Sequence, residues 1–292
     1  MPWLQVKLAT SADSAPAIEE ALTEAGAVSV TLEGADDSRI FEPAPGEVPL
    51  WDATRVVGLF EDDHAHESIL AALAGLDDEI GAEPEFEQVP DREWTRAWMD
   101  DWAPLRFGDH LWVAPEDATV DDPDGTVLRL DPGLAFGTGT HATTALCLEW
   151  LAAHDLTGLR VLDYGCGSGI LAVAALRLGA AHAHAVDIDP QALEATMANA
   201  EKNGVAARVE TADEETLIDD ADLVLANVLA GPLIEVSDRL AACQPAGGRL
   251  VLAGILSDQA ESVMAAYREA YTVDIAAERE GWSLVTGHRR ET

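Results

Sequence analysis

Lysine is almost missing from this chain. Of 17 basic residues only Lys7 and Lys202 are lysines, against 54 acids in 292 residues, for a formal net charge of −37. The acids are not a tail: residues 1–93 carry 22 acids and 4 bases, and residues 94–292 carry 32 acids and 13 bases. So few bases argue against direct nucleic-acid binding, because that affinity comes from Lys and Arg neutralising phosphates. Acids spread over both halves read either as an ordinary solvated surface or as a fit to concentrated salt. At about 1 M salt the Debye length falls to roughly 3 Å and self-repulsion is screened. On the second, halophilic reading the melting temperature climbs steadily from dilute buffer to molar KCl. A flat profile in thermal melts would remove that reading.

Cysteine is scarce too. Cys147, Cys166 and Cys243 form no CxxC pair and no His/Cys cluster, so neither a disulfide framework nor a metal site is expected. Each stands in an apolar context and reads as a small buried hydrophobe. An odd, sparse count fits a reduced cytoplasm. No secretory signal and no apolar run long enough to span a bilayer are read, so a cytoplasmic protein without a membrane partner is expected. No internal repeat is found.

What is present is concentrated in Val161-Leu162-Asp163-Tyr164-Gly165-Cys166-Gly167-Ser168-Gly169-Ile170, followed by Ala185-Val186-Asp187-Ile188-Asp189-Pro190. An apolar strand enters a glycine-dense turn, a helix follows, and a second strand ends on an acid. That is the layout of a nucleotide-binding βαβ unit, in which the acid grips ribose hydroxyls. The spacing G-x-G-x-G, rather than G-x-G-x-x-G, speaks against a dinucleotide. Asp163, just before the turn, would repel a pyrophosphate but suits a cationic ligand. S-adenosylmethionine, with its sulfonium and ammonium, fits Asp163, Gly165, Gly167 and Asp187 better than NAD does.

The rest of the chain reads as two domains. Strands over Trp3–Ala9, Val28–Glu33, Thr54–Glu61 and Glu85–Val89 and helices over Ser11–Ala25, capped by Ser14, and His64–Leu76 follow the order strand–helix–strand–strand–helix–strand. This is a ferredoxin-like α+β order. Trp94, Trp98 and Trp102 recur every four residues and share one helical face, either as packing between domains or as a hinge or docking ridge. Leu111–Ala114 and Thr126–Leu130 read as a hairpin around an acidic turn. From Leu159 onward strands are expected at Arg160–Tyr164, His182–Asp187, Ala207–Thr211, Leu223–Val228, Arg249–Ala253, Val273–Glu278 and Ser283–His288. Helices over Gly169–Leu178, Pro190–Asn203 and Pro232–Ala241 lie between them. The result is a mostly parallel, doubly wound sheet with its ligand at the carboxyl ends of the strands.

Two further stretches carry polar chemistry. Leu130-Asp131-Pro132-Gly133-Leu134-Ala135-Phe136-Gly137-Thr138-Gly139-Thr140-His141 is too rich in glycine for a plain linker, and Thr140 is placed to cap the next helix. It reads as a structural turn or as a loop over substrate or cofactor. His141 reads as a cap or packing residue before a general base. Asn227, at the end of an apolar strand, either ties down the loop before Pro232 or offers its carbonyl to a substrate amine.

With these stretches in hand, residues from Asp91 to Arg289 resemble the ribosomal protein L11 methyltransferase family. The resemblance rests on Trp98-Met99-Asp100, Arg106-Phe107-Gly108, Leu130 through Thr144, Val161 through Ile170, Val186 through Pro190 and Ala226 through Pro232. It implies a ferredoxin-like recognition domain over 1–90, a linker helix over 91–104 and a seven-stranded Rossmann-like class I methyltransferase domain over 105–292. It implies S-adenosylmethionine as methyl donor and lysine and N-terminal amines of ribosomal protein L11 as acceptors. Thr144, Gly165, Asp187 and Asn227 match the family's cofactor-contacting positions, and Phe136, Gly137 and Thr138 its active-site loop. Asn227, Phe136 and Thr138 are the catalytic candidates. Rival readings are a class I methyltransferase on another protein amine or a small molecule, a nicotinamide-dependent oxidoreductase, and a silent ribosome-binding module.

Overall fold

Alternating apolar residues in the N-terminal third build one small sheet. In the computed structural model, which describes residues 2–35, 50–61, 66–76, 79–89, 103–130 and 139–291, strand β1 (Trp3–Ser11) buries Leu4, Val6 and Leu8 on one face. Helix α1 (Ala15–Glu24) follows, then β2 (Ser29–Gly34), β3 (Ala53–Glu61), α2 (His66–Leu73) and β4 (Glu85–Val89). The four strands pair antiparallel in the order β2-β3-β1-β4. Both helices send apolar residues, Ile18, Leu22 and Ile69 among them, onto the same face to close a core with Phe60 and Val56. Ser14 occupies the N-cap of α1, but its side chain makes no capping bond, because its backbone (φ −92°, ψ −20°) is already helical rather than extended as a capping residue's is. Gly26 ends the helix at a φ of 96°.

The chain divides into two compact units, Met1–Ala97 and Trp98–Thr292. The expected linker helix, with Trp94, Trp98 and Trp102, lies outside the described residues.

The second unit opens with a small sheet of β5 (Leu105–Phe107), β6 (Leu111–Ala114) and β7 (Thr126–Arg129). The expected hairpin is wrong here. β6 and β7 pair parallel, Leu111 opposite Thr126, while β5 and β6 are antiparallel. Residues 115–125 are long enough to return along the strands, so they act as a crossover rather than a turn.

Helix α3 (Ala142–Ala153) leads into the main sheet: β8 (Arg160–Tyr164), α4 (Ile170–Arg177), β9 (His182–Val186), α5 (Pro190–Lys202), β10 (Val209–Ala212), β11 (Leu223–Asn227), α6 (Ala230–Glu235), α7 (Ser237–Ala242), β12 (Arg249–Leu256), α8 (Ala260–Tyr267), β13 (Tyr271–Arg279) and β14 (Trp282–Arg289). The strand order is β10-β9-β8-β11-β12-β14-β13, parallel through β12 and antiparallel at β14 and β13. The central strands β8, β9, β11 and β12 are buried on both faces because helices cover both. Leu223 and Leu225 of β11 face one core with α3 and α4; Val224 and Ala226 face the other with α6 to α8. The single helix expected over Pro232–Ala241 is two short ones. The Ser237 hydroxyl donates to the Ile234 carbonyl at 2.9 Å, a side-chain bond that competes with the helical ladder at the break. From β8 the sheet grows outward through β9 and β10, then returns to β11 on the other side. A crevice is therefore forced at the carboxyl ends of β8 and β11.

Candidate active site

That crevice is a cleft of about 640 Å³, and Gly165, Gly167, Asp187 and Asn227 all lie on its wall. The turn after β8 comes as close to its surroundings as a backbone can. Gly165 has a φ of +70°, and a Cβ there would sit 2.3 Å from a methyl of Val228. Only glycine satisfies both the left-handed backbone and the contact. The amides of Gly165 and Cys166 both donate to the Val186 carbonyl, at 2.9 and 3.1 Å, which ties the turn to the end of β9.

Asp187 follows directly. One carboxylate oxygen accepts the Gly167 amide at 2.9 Å and the other accepts the Asp189 amide at 3.0 Å. A carboxylate oxygen takes about two bonds, so each keeps one acceptor position. Two fixed acceptors side by side match the two hydroxyls of a ribose. Ile188, next in sequence, is an apolar side chain 76% exposed on the cleft wall. Its signal in the sequence is its place as the first residue after the acid.

Asn227 ends β11. Its amide nitrogen donates to the Thr144 hydroxyl at 3.2 Å, which leaves the carbonyl oxygen as the acceptor available to the cleft. Thr144 lies in the first turn of α3 and is fully buried, so it stands behind Asn227 rather than on the cleft wall. His141 caps α3, its ring accepting the Thr143 amide at 3.4 Å and approaching the Thr143 hydroxyl at 2.8 Å. The expected cap, Thr140, stands one residue too early. Phe136, Gly137 and Thr138 lie outside the described residues.

Asp163 stands behind the turn. It is 1% exposed, accepts the Ala172 amide of α4 at 2.9 Å, and does not line the cleft. The pleat decides this: Tyr164 reaches the cleft side, so its neighbour faces the other way. Burial pushes the Asp163 carboxyl up to about 7, opposed by the Ala172 bond and helped by the charge of Asp187. Its folded value lies above the unfolded value of 3.8. The protonated form therefore favours the fold, fully below about pH 4, and that contribution is lost as pH rises through about 7. Asp163→Asn keeps an acceptor for Ala172 but cannot ionise. It is expected to gain several °C on the wild type between about pH 5 and 8, at roughly 2–4 °C per kcal/mol. Thermal melts across that range check it; a constant difference would mean that Asp163 titrates as an ordinary carboxylate.

Sequence reasoning missed the far wall. The Tyr164 hydroxyl donates to a Glu214 carboxylate oxygen at 2.9 Å, and the Arg239 guanidinium donates to the Glu214 backbone carbonyl. Burial, then the bond to Glu214, pushes the Tyr164 phenol up to about 12, so it stays neutral. Nothing local in the sequence announces a pair 50 residues apart. Glu235 adds a further acid to the same wall. An acid-lined cleft whose Arg239 is engaged with a carbonyl suits a cationic, phosphate-free nucleoside and opposes a pyrophosphate. Among the described residues no group of three or more His, Cys, Asp or Glu is placed to hold a metal, and no helix is long and apolar enough to cross a membrane.

Residues 2–290 match the family described as Ribosomal protein L11 methyltransferase (PrmA). A protein of that name from Methylococcus capsulatus is 51% identical over 291 residues, covering 99% of both chains. One from Edwardsiella ictaluri is 48% identical over 296 residues, covering 99% of this chain and all of its own. Among solved structures, a ribosomal protein L11 methylase from Lactobacillus delbrueckii subsp. bulgaricus is 31% identical, with a TM-score of 0.58. The match covers 65% of this chain and 100% of that one.

Proposed function

The chain belongs to the ribosomal protein L11 methyltransferase family, and from that premise we propose that the cleft between β8 and β11 presents a methyl donor to lysine and N-terminal amines of ribosomal protein L11. The protein is an S-adenosylmethionine-dependent methyltransferase whose substrate is L11. When bound, S-adenosylmethionine supplies an electrophilic methyl group on a sulfonium.

The remaining work falls to the chain's own residues. Asp187 holds the ribose hydroxyls, Ile188 offers an apolar face to the base, and the backbone of Gly165 and Gly167 admits the methionyl part. Asn227 accepts an N–H of the incoming amine and so aims its lone pair. Thr144 fixes which end of the Asn227 amide faces the cleft. That oriented acceptor, on the same wall as Gly165 and Asp187, is the observation that carries the reading. Proximity and alignment are the main catalytic terms for such a displacement.

The amine has a reference pKa near ~10.4 and must arrive neutral. Tyr164 holds its proton, and Asp163 is sealed from the cleft, so neither is the base; bulk water takes the proton. Phe136 and Thr138 complete the active-site loop in this proposal, on the family resemblance. The N-terminal unit, ferredoxin-like in its βαββαβ order, is proposed to recognise L11.

Mass spectrometry of ribosomal proteins from the host, with and without this gene product, tests the proposal. L11 is expected to lose its methyl groups in the deletion. An unchanged L11 beside another protein that loses methyl groups would move the activity to that protein.

A further inference from the structure

Helix α5 starts three residues after Asp187, with Asp189 as its cap, and carries a buried polar face. Thr196, Asn199 and the C-cap residue Asn203 recur at three- and four-residue spacing, so they share one side. All three are buried. Each is tied to the backbone of another part of the unit. The Thr196 hydroxyl donates to the Gly167 carbonyl at 3.2 Å, and the Asn199 amide donates to the Ser168 carbonyl at 2.8 Å. Asn203 accepts the Arg129 amide at 2.8 Å and donates to the Arg129 carbonyl at 2.7 Å and the Asn199 carbonyl at 2.8 Å.

Arg129 is the last residue of β7, an edge strand of its sheet. Asn203 thus pairs with it as one more strand would. The Arg129 guanidinium in turn donates to the Pro115 and Ala118 carbonyls at 2.7 and 2.6 Å. In sequence Arg129 directly precedes the Leu130–Thr144 stretch, whose last residue holds Asn227. Buried amides inside a helix are a poor choice for stability alone; an apolar side chain of similar size has no bonds to satisfy. Their value is direction, since each fixes a particular carbonyl.

We propose that Asn199 and Asn203 are positioning residues for methyl transfer: Asn199 holds the glycine turn in its donor-binding shape, and Asn203 fixes the end of β7, the last described strand before Thr144, the residue that orients Asn227. The inference rests on the donor reading given above. One rigid helix then keeps the acid, the turn and β7 in register.

The test uses the full chain and the variants Asn199→Leu and Asn203→Leu. It measures the Kd for S-adenosylhomocysteine by calorimetry, KM and kcat with L11, and the melting temperature. Asn199→Leu is expected to raise the Kd at least ~10-fold with kcat at saturating donor within ~3-fold. Asn203→Leu is expected to do the reverse, lowering kcat at least ~10-fold with the Kd within ~3-fold. If a leucine variant does not fold, the aspartate variant at that position carries the same test, because it keeps size and loses the donated bond. Variants that melt lower but keep the wild-type Kd, KM and kcat would overturn the proposal and leave the face a mere scaffold. A wild type that binds no S-adenosylhomocysteine would overturn the donor reading, and this inference with it.

Discussion

Asn227→Ala is expected to lower kcat by about 100-fold at saturating S-adenosylmethionine, the scale of a small misplacement in an alignment-driven reaction. Donor affinity should fall by less than ~3-fold, because the bond in question is made to the amine and not to the donor. The carbonyl of Asn227 is free for that bond because its nitrogen is given to Thr144. Thr144→Val, nearly the same size but without an acceptor, should reproduce part of the loss by releasing the amide to rotate. Single-turnover kinetics with labelled donor, beside calorimetry, separates the two parameters. If Asn227→Ala loses donor binding and keeps its turnover, Asn227 is a cofactor residue and the orienting role fails.

Asp187→Ala should weaken S-adenosylmethionine binding by at least ~10-fold and as much as ~100-fold. Hydrogen bonds to a charged acceptor contribute about 1.5–3 kcal/mol each, and every ~1.4 kcal/mol is tenfold. The larger figure follows from the second duty of this carboxylate, which also holds the amides of Gly167 and Asp189. Its removal loosens the turn as well as the ribose contact. Asp187→Asn is the informative control. It keeps one acceptor, but its NH₂ cannot accept the amide that the lost oxygen held. Calorimetry with the donor gives the affinities, and unchanged binding in Asp187→Ala would take the residue out of the site.

What could be read from sequence divides by distance along the chain. β8, β9 and β11 are short apolar runs closed by glycine or a polar residue, and their ends came within a residue or two. Gly165, Gly167 and Asp187 stand at spacings that one βαβ unit dictates, so their place on the cleft was legible too. Asp163 stands off the cleft wall. The same pleat that puts Tyr164 on the cleft side turns Asp163 away, and a period of two was already visible in Val161 to Tyr164. The direction of β7 against β6 was not legible, because a long connection permits either pairing. Nor were Asn227–Thr144 and Tyr164–Glu214, pairs 83 and 50 residues apart that meet only after the sheet has formed. The exchange of His141 for Thr140 as the cap of α3 is a one-residue error of the kind helix ends invite.

The central claim is that this cleft moves methyl groups from S-adenosylmethionine to amines of L11. Its most direct test combines the purified chain, methyl-labelled donor and L11 from the same host, with the label followed by pH. The account predicts label on L11 at lysine or N-terminal amines, entering faster as pH rises toward the amine pKa, because only the neutral amine attacks. Donor that binds tightly while L11 stays unlabelled at every pH would contradict it.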